Sequence, residues 1–137
     1  MDDIIYKNLD KLTNKALKKN EIAVAAVIVK NNKIISKAYN RRMHECDVTS
    51  HAEISAIRKA EKKLKDWRLD GCSMYVTLEP CSMCKEVIKE SRLDNCWYII
   101  ERDNIDNLYK KNNVCYWQTS DNNLFKKKLK NSLKKLR

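Results

Sequence analysis

The sequence predicts an α/β fold, a three-layer sandwich in which helices flank a mixed five-stranded sheet. Three observations carry that prediction. Helical and strand periodicities alternate along the chain rather than segregating into halves. Ile22 to Val29 is an unbroken run of β-branched residues and alanines, the pattern of a strand buried on both faces. Gly71 and Pro80, each the single residue of its kind, fall before a predicted strand and at the start of a predicted helix. At 137 residues the chain fits one compact domain, 1–137.

Taken in order, Ile5, Leu9, Leu12, Ala16 and Leu17 recur at helical spacing, so residues 3–19 form an amphipathic helix. The apolar run Ile22–Val29 and the alternating segment Ile34–Tyr39 are joined through Asn31-Asn32, two residues that tolerate positive φ, which makes a hairpin. Residues 40–50 are a polar loop, with Thr49 or Ser50 placed to cap a helix beginning near His51 and burying Ile54, Ile57 and Leu64. Met74–Leu78 is the third strand. Pro80 sets the first turn of the next helix, with Met83, Val87 and Ile88 inward. Cys96–Ile100 and Val114–Trp117 complete the five strands. The link 103–113 is short for a parallel crossover, so both orientations of the fifth strand stay open. A basic helix over about 122–137 ends the domain, with Phe125, Leu129, Leu133 and Leu136 as its buried stripe and its lysines outward.

Lys and Arg number 29 against 18 Asp and Glu, a formal charge of +11. That excess suits a nucleic-acid partner, and equally a proteome rich in Lys and Asn. No apolar run approaches the roughly 18 residues of a membrane span. The Met-Asp-Asp opening has no charged-then-apolar leader, so a cytoplasmic protein with no membrane partner is expected. In that compartment the six cysteines are reduced thiols, some of them available to metal, rather than disulfides.

Two short motifs stand at matching places. His51-Ala52-Glu53 opens one helix, and Pro80-Cys81-Ser82-Met83-Cys84 opens the next. Cys81 and Cys84, three apart in a first turn, direct both sulfurs the same way. If the two helix entrances converge, one imidazole and two thiolates meet a single ion, the donor set of zinc with a fourth position left open. Zinc brings the pKa of a water at that position from about 15.7 toward about 7, and Glu53 beside it is placed to accept the proton. Each piece also has a plainer reading. His51 can be an ordinary helix-entrance histidine, Cys81-x-x-Cys84 a redox pair, and the metal structural, with Cys46, His44 or Cys72 as fourth ligand.

The joint pattern His51-Ala52-Glu53 with Pro80-Cys81-x-x-Cys84 resembles the signature of the zinc-dependent cytidine and adenosine deaminases, a family that serves as a standard worked example of zinc deaminase chemistry. The flanks are similar to the bacterial tRNA-specific adenosine deaminases. They are Asp66-Trp67-Arg68-Leu69-Asp70-Gly71-Cys72, then Tyr75-Val76-Thr77-Leu78-Glu79 ahead of Pro80, then Ser91-Arg92-Leu93. With Ala26-Val27-Ile28-Val29 and Asn40, the likeness covers roughly residues 4–103.

The resemblance implies a cytidine deaminase-like fold, one zinc per chain on His51, Cys81 and Cys84, and Glu53 as proton shuttle. It places Asn40 on the base, Glu21 and Ile22 along the pocket, and Ala52 as a backbone contact. It further implies a homodimer that converts adenosine to inosine at the wobble position, acting on a tRNA anticodon loop already single-stranded. Where that family has Pro and Gly in its first strand this chain has Ala23 and Ala25, and Lys85-Glu86-Val87 replaces small residues after the second cysteine. The alternative substrate is a free base, nucleoside or nucleotide such as cytosine, cytidine or guanine. A zinc-stabilised RNA-binding subunit without turnover is a third possibility, and the presence of Glu53 argues against it. Lys126, Lys127, Lys130 and Lys134 of the basic helix are the candidate phosphate contacts, against the plainer reading of a solvated face.

Overall fold

The computed structural model describes residues 2–102, 114–116 and 122–135. Helix α1 spans Asp2–Lys18 and buries Ile5, Leu9, Leu12 and Ala16, the stripe its periodicity predicts. Strands β1 (Ala25–Lys30) and β2 (Lys33–Tyr39) form the hairpin. Its turn residues Asn31 and Asn32 have φ of 51° and 62°, the left-handed region that asparagine enters at low cost.

The first strand is shorter than the apolar run that predicts it. Ile22–Val24 stand outside β1: the Val24 N–H bonds back to the Ile22 carbonyl, and the Val24 carbonyl accepts the Asn40 N–H. The apolar side chains there serve a different surface, as the functional cleft makes clear.

Helix α2 (Ala52–Leu64) is followed by β3 (Cys72–Leu78), which the chain enters through Gly71 at φ 79°. Then come α3 (Ser82–Glu90), β4 (Asn95–Ile100), β5 (Val114–Tyr116) and α4 (Asn122–Lys135). The four long strands form a mixed sheet in the order β2-β1-β3-β4, with β1 antiparallel to both neighbours and β3 parallel to β4. The three residues of β5 lie parallel to β4, in register from Cys96 opposite Val114 to Tyr98 opposite Tyr116. The link 103–113, Trp117 and Leu136 lie outside the described residues.

Alternate residues of β1 feed two cores. Ala26 and Ile28 join Met74, Val76 and Tyr98 beneath Ala56, Ile57 and Ala60 of α2 and Ile88 of α3. Ala25, Val27 and Val29 face Ile5, Leu9 and Leu12 of α1 and Phe125 of α4. The sheet is therefore covered on both faces, and each fully buried Val, Leu or Ile contributes about 1.5–3 kcal/mol.

Two local expectations are corrected. The residue at the α2 entrance is His51 itself, while Thr49 is held by the Asp47 carboxylate and the Ser50 N–H by the Asp47 carbonyl. Pro80 precedes α3 rather than occupying its first turn, because Cys81 takes the N-cap. Helix α4 is also rotated from its predicted stripe. Phe125, Lys128 and Ser132 are buried, Leu129 is half-buried, and Leu133 is 42% exposed. The Lys128 ammonium finds acceptors on α1, so this lysine turns inward and the leucines turn toward the cleft.

Candidate active site

The functional cleft lies at one end of the sheet, where the approach to β1 and the exits of β3 and β4 meet the entrances of α2 and α3. Its volume is about 710 Å³, and Ile22, Val24, Leu78 and Ile100 form its apolar floor. Openings of this kind at the carboxyl ends of parallel strands are where α/β sheets bind ligands.

Both helix entrances are occupied by residues that do not cap. His51 is the N-cap of α2 with extended backbone (φ −72°, ψ 154°), and Cys81 is the N-cap of α3 (φ −70°, ψ 173°). Neither side chain turns back to bond its own helix, as Ser, Thr or Asp would. Each points ahead of its helix axis instead, and there the two meet. His51 Nδ1 is 3.7 Å from Cys81 Sγ and 3.5 Å from Cys84 Sγ. A tetrahedral zinc with ordinary bond lengths separates its sulfur and imidazole ligands by about 3.6 Å. The three donors thus already stand at zinc spacing, all within 4.8 Å of one another. Among the described residues no fourth metal-binding side chain joins them. Cys46 is exposed on its loop, His44 is engaged by Glu21, and Cys72 is buried at the start of β3. A set of three leaves the fourth position open, which is the arrangement of a catalytic rather than a structural zinc.

The electrostatics agree. A hydrogen bond from the Cys84 thiol outweighs burial and, with the His51 ring, pushes Cys81 down to about 3, the direction that favours its thiolate form. The same bond, with burial, pushes Cys84 up. His51 is raised by its bond to Cys81. Cys84 thus keeps its proton in the metal-free site, and a divalent ion would displace it. Glu53 is 3% exposed at the cleft wall and is not one of the three donors. Burial raises its carboxyl above the ordinary carboxylate range, the direction that suits a group that both takes and returns a proton.

The remaining predicted residues divide. Asn40 lines the cleft, and its Oδ1 accepts the Arg42 N–H at 2.9 Å. Ile22 also lines the cleft. Ala52 is fully buried in the first turn of α2 and is not among the lining residues. Glu21 departs from its expected place. Its carboxylate faces away into the 40–46 loop, accepting the Met43 N–H at 3.1 Å and the His44 N–H at 2.8 Å, and meeting His44 Nδ1 at 2.6 Å. Burial would raise this carboxyl, but the His44 and Met43 bonds outweigh it and hold it low. Two loop amides a single residue apart make a natural carboxylate site, and Glu21 fills it. Lys126 and Lys130 line the cleft, whereas Lys127 and Lys134 are exposed outside it.

Sequence reasoning did not single out Arg42 and Arg102, which also line the cleft. Arg42 carried a signal, since it follows Asn40 by two residues in a loop that must return to His51. Arg102 carried none, because its place depends on Glu79: the Arg102 N–H bonds Glu79 Oε1 and its Nε bonds the Glu79 carbonyl, both at 3.1 Å.

The family model for the cytidine and deoxycytidylate deaminase zinc-binding region matches residues 2–100. The tRNA-specific adenosine deaminase of Bacillus subtilis is 42% identical over 93 residues, 68% of this chain and 58% of that protein. The chain thus spans little more than half the length of that relative. A structure from studies of A-to-I editing by tRNA:A34 deaminases at the wobble position superposes with a TM-score of 0.78, at 28% identity, over 84% of this chain and 98% of that one. The guanine deaminase of Bacillus subtilis superposes at 0.68, with 36% identity, over 72% of this chain and 64% of that one. With the His51, Cys81 and Cys84 cluster at two uncapped helix entrances and Glu53 beside it, the chain belongs to the cytidine and deoxycytidylate deaminase zinc-binding family.

Proposed function

We propose that residues 1–137 are one zinc-dependent aminohydrolase domain that converts adenosine to inosine at the tRNA wobble position, in the cytoplasm and as a homodimer. The observation that carries this reading is the buried Glu53 beside a three-donor candidate metal site, in a cleft rimmed by cations. His51, Cys81 and Cys84 would hold one zinc per chain, which would supply Lewis-acid activation of a water for attack on the carbon bearing the amine. Glu53 would accept a proton from the attacking water and deliver it to the ring nitrogen, then take the proton of the hydroxyl added to the substrate carbon and pass it to the departing amine nitrogen, so that adenosine and water give inosine and ammonia. Asn40 orients the base, and the Ile22, Val24, Leu78 and Ile100 floor excludes solvent beneath it. The short strand β5 completes a five-stranded sheet in the parallel sense. For the dimer, the support is an apolar groove of about 400 Å³ between α2 and α3, lined by Ile54, Ile57, Met83 and Val87 and flanked by Trp67.

The second reading, a deaminase of free guanine or another base, is favoured by the 36% identity to the guanine deaminase structure. The two readings differ at the rim. Arg42, Arg102, Lys126 and Lys130 face Glu53 and Glu101 around the cleft, an excess of positive charge. A neutral base has no use for it, whereas a polynucleotide presents phosphates on either side of the target nucleotide. The basic rim therefore supports RNA. Among the described residues no helix is long and apolar enough to cross a membrane. The test is incubation of the zinc-loaded protein with total tRNA, a short anticodon hairpin and free nucleosides and bases, with products read by mass. Inosine in the RNA pools is expected. Turnover confined to a free base would overturn the substrate assignment and leave the chemistry standing.

A further inference from the structure

Lys128 is 9% exposed, in the middle of the basic helix whose lysines the sequence places outward. Burying an ammonium is costly unless it is fully partnered, so what surrounds the Lys128 ammonium decides whether it can stand here. Its Nζ donates to the Asp10 carbonyl at 3.3 Å and to Thr13 Oγ1 at 3.1 Å, and it pairs with the Asp10 carboxylate. It also lies 5.5 Å from the centre of the Phe125 ring, which packs edge-on against Tyr6 of α1. One turn later Ser132 Oγ accepts the Ala23 N–H at 3.0 Å while donating to the Leu129 carbonyl at 2.7 Å. Ala23 sits between Ile22 and Val24, both of which line the cleft.

The same helix supplies the opposite wall of that cleft through Lys126, Leu129, Lys130 and Leu133. Residues 128 and 132 are one turn apart on one face, and 126, 129, 130 and 133 lie about 80–180° around the helix from it. Successive residues of a helix are separated by about 100°, so a small rotation of α4 would carry these four residues away from the cleft. An apolar stripe resists such rotation weakly, because hydrophobic contact is non-directional. Three acceptors around one ammonium, and one amide held by a hydroxyl, resist it strongly.

We propose that Lys128 and Ser132 are positioning residues. They latch α4 to α1 and to the Ile22–Val24 segment, and so fix the wall that receives the substrate flanks. The inference rests on the RNA reading above for the identity of that substrate. Neither residue lines the cleft. Their loss acts through Lys126, Leu129, Lys130 and Leu133, so it weakens substrate engagement and leaves the metal cluster and Glu53 intact.

The test compares wild type, Lys128→Met, which keeps the unbranched stem, and the milder Ser132→Ala. Zinc content, kcat and KM on the anticodon hairpin, and hydrogen exchange of α4 and Ala23 amides are measured on each zinc-loaded protein. The expected result is faster exchange in α4 and at Ala23, with α2 and α3 unchanged. KM should rise roughly tenfold in Lys128→Met and less in Ser132→Ala, with kcat and zinc content within about twofold. If exchange accelerates and KM stays within twofold in both variants, the latch is structural only and the proposal is overturned. Unchanged exchange, or a fall in kcat at constant KM, overturns it equally. If wild type turns over a free base and not the hairpin, the RNA reading fails, and the same KM comparison on that base decides the latch.

Discussion

Replacing Lys85 by Met should cost this protein a large part of its stability. Lys85 and Glu79 form an ion pair at 2.9 Å with side chains 6% and 4% exposed, and the pair brackets the two cysteines of the metal cluster, one residue after Cys84 and two before Cys81. Methionine retains the stem and removes the ammonium, leaving Glu79 Oε2 buried and unpartnered while Oε1 keeps the Arg102 N–H. Breaking one side of a buried pair costs about 3–5 kcal/mol. The surviving Arg102 bond argues for the lower half of that range. Domains have a total stability of only about 5–15 kcal/mol. With an unfolding entropy of about 2.1 cal/mol/K per residue, 137 residues give about 0.29 kcal/mol/K, so a loss of about 3–4 kcal/mol lowers Tm by roughly 10–14 °C. Thermal and denaturant unfolding at one fixed free zinc concentration measure this, since metal binding itself shifts the midpoint. The double variant Lys85→Met with Glu79→Gln removes both charges while keeping a side-chain oxygen for the Arg102 N–H, and should recover part of the loss. A single-variant cost under about 1 kcal/mol, or a double variant no better than the single, would refute the reasoning.

Metal analysis should give one zinc per chain, with Cys81→Ser and Cys84→Ser losing it and Cys46→Ser retaining it. Titration of zinc into the metal-free protein at neutral pH should release protons, because Cys84 holds its proton until the ion arrives. Glu53→Ala should keep zinc and fold while lowering turnover by about 10²–10⁴, the usual worth of general acid–base catalysis, and near-normal turnover would mean another group moves the proton. Lys126→Gln with Lys130→Gln should weaken hairpin binding and flatten its salt slope by about 0.7–0.9 for each phosphate that is no longer neutralised, whereas Lys127→Gln with Lys134→Gln, outside the cleft, should change the slope less. The Glu21 carboxyl is held below its ordinary value of 4.5, so its charged form stabilises the fold above that pH and the contribution is lost as pH falls through the lowered value. Unfolding measured from pH 7 down to pH 3 should therefore show wild type converging on Glu21→Gln in acid, and parallel curves would show that the loop does not depend on this charge.

The metal cluster was legible because its ligands depend on local spacing and on two punctuated helix starts. Cys81 and Cys84 share a first helical turn, and Pro80 marks where that turn begins, so the convergence with His51 needed only two helices to open on the same side of the sheet. The hairpin was legible for a similar reason, since Asn31 and Asn32 adopt a conformation that few other residues accept. What sequence could not give was the destination of polar groups whose partners are distant in the chain. Glu21 finds its acceptor role 22 and 23 residues later, on the amides of Met43 and His44. Lys128 finds α1, 118 residues earlier, and rotates α4 as it does so. In both cases periodicity predicts which residues are apolar and says nothing of a buried charge that meets a waiting set of bonding groups. Ile22 and Val24 were misassigned to the first strand because a cleft floor and a strand core require the same apolar residues.

The helix entrances show what the site costs and what it gains. Ser, Thr, Asp or Asn at an N-cap stabilises a helix by about 0.5–2 kcal/mol relative to a residue that does not cap. Both α2 and α3 forgo that bond, because His51 and Cys81 occupy the cap positions with their side chains directed ahead. The first amide N–H groups of each helix, and the positive end of each dipole, therefore face the point where the imidazole and thiols meet. A positive field there favours the thiolate at Cys81, the form a metal requires. Capping either helix in the ordinary way would satisfy an amide and withdraw a ligand by the same substitution, so helix stability and metal binding compete for the same two residues. The loss is recovered only when an ion ties the two entrances together, which couples the packing of α2 against α3 to occupancy of the cluster. The Glu79–Lys85 pair, joining the end of β3 to α3 on either side of the cysteines, holds the α3 entrance in place before the ion arrives.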